Sequence, residues 1–264
     1  MLILTTLNVD AYSVDNLVLS WEYSSTTESL SDYEIDIYRS EAPISGNTIE
    51  GYTHIASGIS AESISYVDTT ISGYYHYNRD WYYKLVFTNV DTDESAITPG
   101  TPAYLNKAGT VDRIYLEILR RKNLVLAKKV GRTYYLLKRY TRGTHCPDCW
   151  DDIMMRVTQS ECLTCKGTGW VSGYFNPIEF IGETNTAPKF AEITMFGDFM
   201  PSDAVLFVTN FPQFKVKDIV VDDNNKRWMV QDVRTVEKLG KILEQRVHIA
   251  LIMEDDQIYE INIY

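Results

Sequence analysis

The chain has 264 residues, a formal net charge of -11 and no run of eighteen apolar residues, so it can form two or three small cores and offers no candidate membrane-spanning helix. Aromatics at 12%, nineteen of them tyrosines, together with many Val, Ile and Thr residues, favour sheet over helix because such side chains suit a pleated, half-buried surface. The opening MLILTTLNVDAY lacks a positive n-region and a small-residue cleavage site, so it is not read as a signal peptide and synthesis in the cytoplasm is expected.

From Leu7 to about Pro102, short runs alternate apolar and polar residues between Ser, Gly, Asn and Asp, the pattern of a small β-sandwich. Leu17, Leu19 and Trp21 share one face of NLVLSWEY. Tyr33, Ile35 and Ile37 share one face of YEIDIYRS, and Trp81, Tyr83, Leu85 and Phe87 one face of WYYKLVFTN. The first two runs resemble the Trp-bearing second strand and the third strand of a fibronectin type III domain, SYVDTT its fifth, and WYYKLVFTN its Tyr-x-hydrophobic-x-hydrophobic-x-Asn strand. By that resemblance Tyr83 takes the place of the buried corner tyrosine, although the usual preceding Leu and Pro are replaced by Tyr77 and Arg79. The resemblance implies a fold and no reaction.

Beyond TPGTPAYL, read as a linker, Thr110 is placed to cap a helix with Val111, Ile114, Tyr115, Ile118 and Leu119 on one stripe, ending near Asn123. The following LVLAKKVGRTYYLLKRYTRG reads as two strands joined near Gly131, which could supply the positive φ of a tight hairpin. The charge is uneven here: residues 1 to 100 carry three Lys/Arg against fifteen Asp/Glu, whereas Lys107 to Arg142 carries eleven Lys/Arg against Asp112 and Glu117. Arg120, Arg121, Lys122, Lys128, Lys129, Arg132, Lys138, Arg139 and Arg142 are therefore candidates for contact with DNA or with an acidic protein neighbour, another copy's acidic end domains included. A solvated hairpin whose lysines discourage edge-to-edge pairing accounts for the same run.

The segment HCPDCWDDIMMRVTQSECLTCKGTGW holds all four cysteines in two Cys-x2-Cys pairs, Cys146/Cys149 and Cys162/Cys165, twelve residues apart. Two residues between thiolates let one turn aim both sulfurs at a single Zn2+, and two such turns complete a tetrahedron. Gly167 and Gly169 suit a turn whose amides approach the sulfurs, and Trp150 and Trp170 are expected to pack beside it. The rivals are two disulfides or a redox Cys-x-x-Cys, which normally sits in a βαβ unit absent from this pattern. His145 is left as a bystander. A four-thiolate shell has no open position for water or substrate, so the expected zinc is structural and not catalytic.

Past Gly173, the runs FNPIEFIGE, FAEITMF, AVLFVTN, KDIVVDD, KRWMVQDV and RVHIALIM are strand candidates for a small barrel or sandwich, with Asp222 to Asn225 as a hairpin turn. The fold class expected is thus mostly β: a type III-like sandwich over 1–103, a helix, basic hairpin and zinc ribbon over 104–175, and a small barrel over 176–264. Catalysis is not expected. The four histidines fall in separate elements, no phosphate-binding loop or nucleophile elbow is present, and the acidic pairs 151–152 and 222–223 and the run 254–256 read as solvated turns.

CPDCWDD followed by CLTCKGTGW and YFNPI resembles a cysteine-bearing segment of tailed-phage structural proteins. Asp218 to Val221, Lys226 to Val230 and Gln245 to Ile252 resemble strands of the small barrels of phage head-to-tail connector proteins. The resemblance implies a virion protein of the neck, assembled in the host cytoplasm as a ring of identical copies. It would contact portal, adaptor or tail proteins and packaged DNA, with no membrane partner. A tail or baseplate component and a zinc-ribbon DNA-binding protein using 120–142 are the alternatives.

Overall fold

The computed structural model describes residues 4–11, 16–23, 29–42, 44, 46, 48–71, 80–98, 101–104, 110–141, 144–185, 203–238 and 240–263. It is mostly β, with one α-helix among the described residues. The expected strand FAEITMF, Tyr77, Arg79 and Arg142 lie outside the described residues.

The N-terminal strands are β1 (Leu4–Ala11), β2 (Leu17–Tyr23), β3 (Tyr33–Ser40), β4 (Thr53–Ser60), β5 (Ser65–Asp68), β6 (Asp80–Asn89), β7 (Ser95–Ile97) and β8 (Thr101–Tyr104). They form two antiparallel sheets, β1-β2-β5 and β4-β3-β6-β7, and β8 also pairs with β6. The alternation in the sequence is the alternation of burial. Leu17, Leu19, Trp21, Ile35, Ile37, Tyr83, Leu85 and Phe87 meet between the sheets in one apolar cluster. Within it the buried Tyr83 hydroxyl donates to Asp68 Oδ2 at 2.6 Å, from one sheet to the other. Asp68 also accepts from Arg39 Nη1 at 2.6 Å and from the Thr70 backbone and hydroxyl at 2.9 and 2.6 Å. Burial pushes the Asp68 carboxyl up, but Thr70, Tyr83 and Arg39 together outweigh it and hold the group below the ordinary aspartate value.

The helix α1 (Thr110–Val125) runs on into a π-helical turn, Leu126–Val130, closed by the Gly131 N–H on the Leu126 carbonyl at 2.8 Å. The expected basic hairpin therefore does not form, and its first half is helix. Ala127, Lys128 and Lys129 are strong helix formers, and Gly131 is extended at φ -78, so the positive φ of a tight hairpin is not there. Glycine is required for a different reason: a Cβ would sit 2.5 Å from the Leu126 carbonyl oxygen and 2.5 Å from Ile181 Cγ2.

The second half of that run is β9 (Arg132–Leu137), which enters the barrel instead of pairing locally. With β12 (Ile178–Asn185), β13 (Asp203–Val208), β14 (Ile219–Val221), β15 (Arg227–Lys238) and β16 (Lys241–Leu251) it closes a six-stranded barrel in the order β12-β13-β16-β15-β14-β9. The strands β10 (Trp150–Asp151) and β11 (Arg156–Val157) form a separate small hairpin. Barrel closure thus draws on a strand from within the segment 104–175, and the cysteine-bearing stretch lies between two neighbouring barrel strands, β9 and β12. Tyr134, Leu136, Phe180, Leu206, Val220, Val230, Val247 and Ile249 fill the interior. Asp222 shapes the turn between β14 and β15, its carboxylate accepting from the Asn224 and Lys226 backbones at 2.9 and 2.8 Å. Leu243 packs under Tyr115, Leu116 and Leu119 of α1.

The three parts pack into one another. Tyr140 is buried in the sandwich cluster, with Trp170 and Phe175 against it, and the Tyr140 and Phe175 rings stack at 4.0 Å. Asn176 donates to Glu62 and Ser63, and Lys215 pairs with Glu22 at 3.2 Å. Behind β14, the C-terminal Ile258, Ile261 and Ile263 pack on Leu137, Ile219 and Val221. The buried Arg227 guanidinium donates to the Ile258 and Ile261 carbonyls there.

Candidate metal centre

Each Cys-x2-Cys pair sits in a turn that its own backbone stabilises. After the first, the Trp150 N–H reaches the Cys146 carbonyl at 3.1 Å, and after the second the Lys166 N–H reaches that of Cys162 at 2.8 Å. The two turns are drawn together where the Cys146 N–H donates to the Gly169 carbonyl at 2.9 Å and β10 pairs with β11. All four thiols are buried and free, and their sulfurs lie within 4.8 Å of one another. The closest pairs are Cys149 with Cys165 at 3.3 Å and Cys146 with Cys162 at 3.7 Å. A disulfide needs about 2.05 Å. Four sulfurs about 2.3 Å from a common tetrahedral centre would stand roughly 3.8 Å apart, so the cluster has the dimensions of a metal site.

The glycines after the second pair are required by close approach. A Cβ on Gly167 would lie 2.4 Å from the Ser160 carbonyl oxygen, and one on Gly169 2.6 Å from Val157. Gly169 in turn points its N–H at Cys165 Sγ, 3.3 Å away, as the spacing implies. The electrostatics are divided. The backbone N–H groups of Cys165 and Thr164 bring the Cys162 thiol down to about 7, whereas burial and neighbouring thiols push Cys149 up, and burial pushes Cys146 up. A cation at the centre removes the penalty for ionising the buried thiols. Among the described residues, Val157 is the one partly buried apolar side chain packed on the cluster, so the metal would take the place of a core.

No protein-family model matches the chain, and no curated protein matches it in sequence. The four cysteines can hold a metal ion; of the two indoles expected beside them, Trp170 packs against the sandwich cluster instead. His145 supplies no ligand atom to the cluster; its ring stacks on both indoles, at 3.8 and 4.3 Å, a role its place next to Cys146 does not reveal. The buried Thr168 hydroxyl, donating to the Cys165 carbonyl at 2.7 Å, is a further support not singled out by spacing.

The structure disperses the candidate basic residues and engages most of them. On α1, Arg120 and Arg121 pair with Glu117 at 3.0 and 2.9 Å, and Lys122 pairs with Glu244 of β16. Lys128 and Lys129 lie exposed on the π-helical turn. Arg132 faces Asp223 at 3.8 Å. Lys138 is half-buried and donates to the Gln213 carbonyl at 2.8 Å, with burial pushing its pKa down. Arg139 donates to the Thr168 carbonyl at 2.9 Å, tying the barrel to the metal module. Among the described residues, no helix is long and apolar enough to cross a membrane.

Proposed function

We propose that this chain is a non-enzymatic structural protein of a tailed-phage virion, a ring-forming neck component of the head-to-tail connector, stapled by one structural Zn2+. The observation that carries the reading is the arrangement around the cysteines. A closed four-sulfur set sits in a segment that resembles phage structural proteins and is inserted into a six-stranded barrel whose strands resemble those of connector proteins. Thiolates alone suit zinc, and four of them leave no coordination position for a substrate, so the ion holds the module together instead of reacting. The packing of a three-stranded sheet on a five-stranded one, in which β7 and β8 both pair with β6, supports the type III resemblance, and such a module would decorate the outside of the particle.

A ring subunit needs rigid parts, and here the sandwich, metal module and barrel share buried side chains such as Tyr140 and Phe175. Among the described residues, a DNA-facing surface would have to be built from Arg121, Lys128, Lys129 and Arg132, the exposed members of the basic set there. Electron microscopy of the purified full chain at high concentration tests the reading. Ring-shaped assemblies are expected, and a dispersed monomer under all conditions would count against it.

A further inference from the structure

The metal module ends in an apolar tip. Between β10 and β11, Ile153, Met154 and Met155 are 94%, 59% and 77% exposed, with Leu163 of the second cysteine turn also exposed. Large apolar side chains gathered on one loop mark a contact surface. The tip is held in shape before any partner arrives: Asp151 Oδ1 accepts from the Ile153 and Met154 backbones at 2.8 and 3.0 Å, and the base of the hairpin is pinned at the thiols. Little ordering remains to be done on binding. The tip is flanked by acid, since residues 148–163 carry Asp148, Asp151, Asp152 and Glu161 against Arg156 alone.

An open groove of about 320 Å³ with the opposite character lies where α1 meets the barrel, lined by Val125, Leu126, Val130, Phe207 and Val208. Its flank is basic: residues 117–132 carry six Lys/Arg against Glu117, and although Arg120, Arg121, Lys122 and Arg132 each face a carboxylate, Lys128 and Lys129 lie exposed beside Val125 and Val130. Of the two acids on its rim, Glu244 is engaged by Lys122 and Arg246, leaving Glu183. Groove and tip belong to opposite ends of β9. Gly182 pairs with Arg132 at the first end, next to Glu183 and its partner Phe207, whereas the metal module departs after Leu137 at the other. Six strand residues separate those ends by roughly 20 Å, so the tip does not fill the groove of its own chain.

We infer that the apolar tip of one copy seats in the α1–barrel groove of the next, acidic flank against basic flank. A contact between two different patches is heterologous, and repeated it builds a ring where the rotation closes. The inference deepens the ring reading and rests on it for closure.

The test follows self-association of the full-length, metal-loaded protein by sedimentation and mass photometry. A tip variant, Ile153→Asp with Met154→Asp, and a groove variant, Val125→Asp with Val130→Asp, alter exposed side chains, and unchanged metal content and thermal midpoint verify their folding. Each variant alone should associate about thirtyfold more weakly or worse. Mixed, they should stop at a one-to-one dimer, because only one competent tip and groove remain. A photo-crosslinking residue at 154 should attach to residues 125–130 or to Phe207 of another chain, a readout that stands even where a variant misfolds. Assemblies undiminished in both variants, with crosslinks elsewhere, would overturn the inference and leave the ring reading standing. A wild type that stays monomeric and gives no intermolecular crosslink would overturn both.

Discussion

Tyr83→Phe keeps the ring that fills the sandwich core and deletes only the hydroxyl that reaches Asp68 at 2.6 Å. A hydrogen bond to a charged group contributes about 1.5–3 kcal/mol, and here the carboxylate left short of a donor is wholly buried, which puts the loss toward the upper end. Native-state hydrogen exchange on the full chain reads this without requiring one cooperative transition for all three modules: amides of β2, β3 and β6 should open more easily by that amount while barrel amides hold. In an Asp68→Asn background the effect of Tyr83→Phe should shrink, since the charge the hydroxyl serves is gone. The pH dependence follows from the depressed carboxyl. Its contribution is complete above the ordinary aspartate value of 3.8 and is lost as the pH falls through the lower folded value, so Asp68→Asn should flatten the sandwich's acid limb below about pH 4. A Tyr83→Phe cost under about 0.5 kcal/mol, or an unaltered acid limb in Asp68→Asn, would refute the argument that this network ties the two sheets.

Metal analysis of the purified chain should find about one divalent ion per molecule, and Cys162→Ser or a strong chelator should raise hydrogen exchange across 144–175 while sparing β2 and β3; undiminished metal in Cys162→Ser would exclude the four-sulfur site. Gly131→Ala places a methyl 2.5 Å from a carbonyl oxygen and from Ile181, and should cost about 1–3 kcal/mol, seen as a lower thermal midpoint. Gln245→Leu orphans the Thr209 and Pro212 carbonyls and the Phe214 N–H, which its buried amide serves at 3.0, 2.7 and 3.2 Å, and should destabilise the barrel by about 2–5 kcal/mol in urea unfolding.

Features set by neighbours in sequence were legible. The faces of β2, β3 and β6 follow from simple alternation, the Asp222 turn from its side chain's habit of bonding its own backbone, and the metal cluster from two short spacings. What escaped depends on distant partners. The run from Leu124 to Val130 has no clean period of two or 3.6, and the close approach of Gly131 to Ile181, 50 residues on, that lets the chain leave the helix for the barrel is invisible in the sequence. Strand β9 was visible as a strand, but its partners β12 and β14 are non-local, so its membership of the barrel was not. Basic residues counted as a surface proved largely engaged, Arg139 by the Thr168 carbonyl and Lys122 by Glu244, because pairing is a property of the fold and not of charge density.

Because β9 and β12 are hydrogen-bonded neighbours with residues 138–177 between them, the whole metal module is topologically a hairpin loop. Losing the ion would turn a folded connection into a slack one of 40 residues, and loop-closure entropy then costs the barrel only about 2 kcal/mol relative to a four-residue turn. The barrel therefore tolerates large changes in what it displays at that point. A lengthened, shortened or metal-free excursion could be exchanged there with the strand order intact, which makes this connection the natural place for related proteins to differ in reach and for engineered insertions to be accepted.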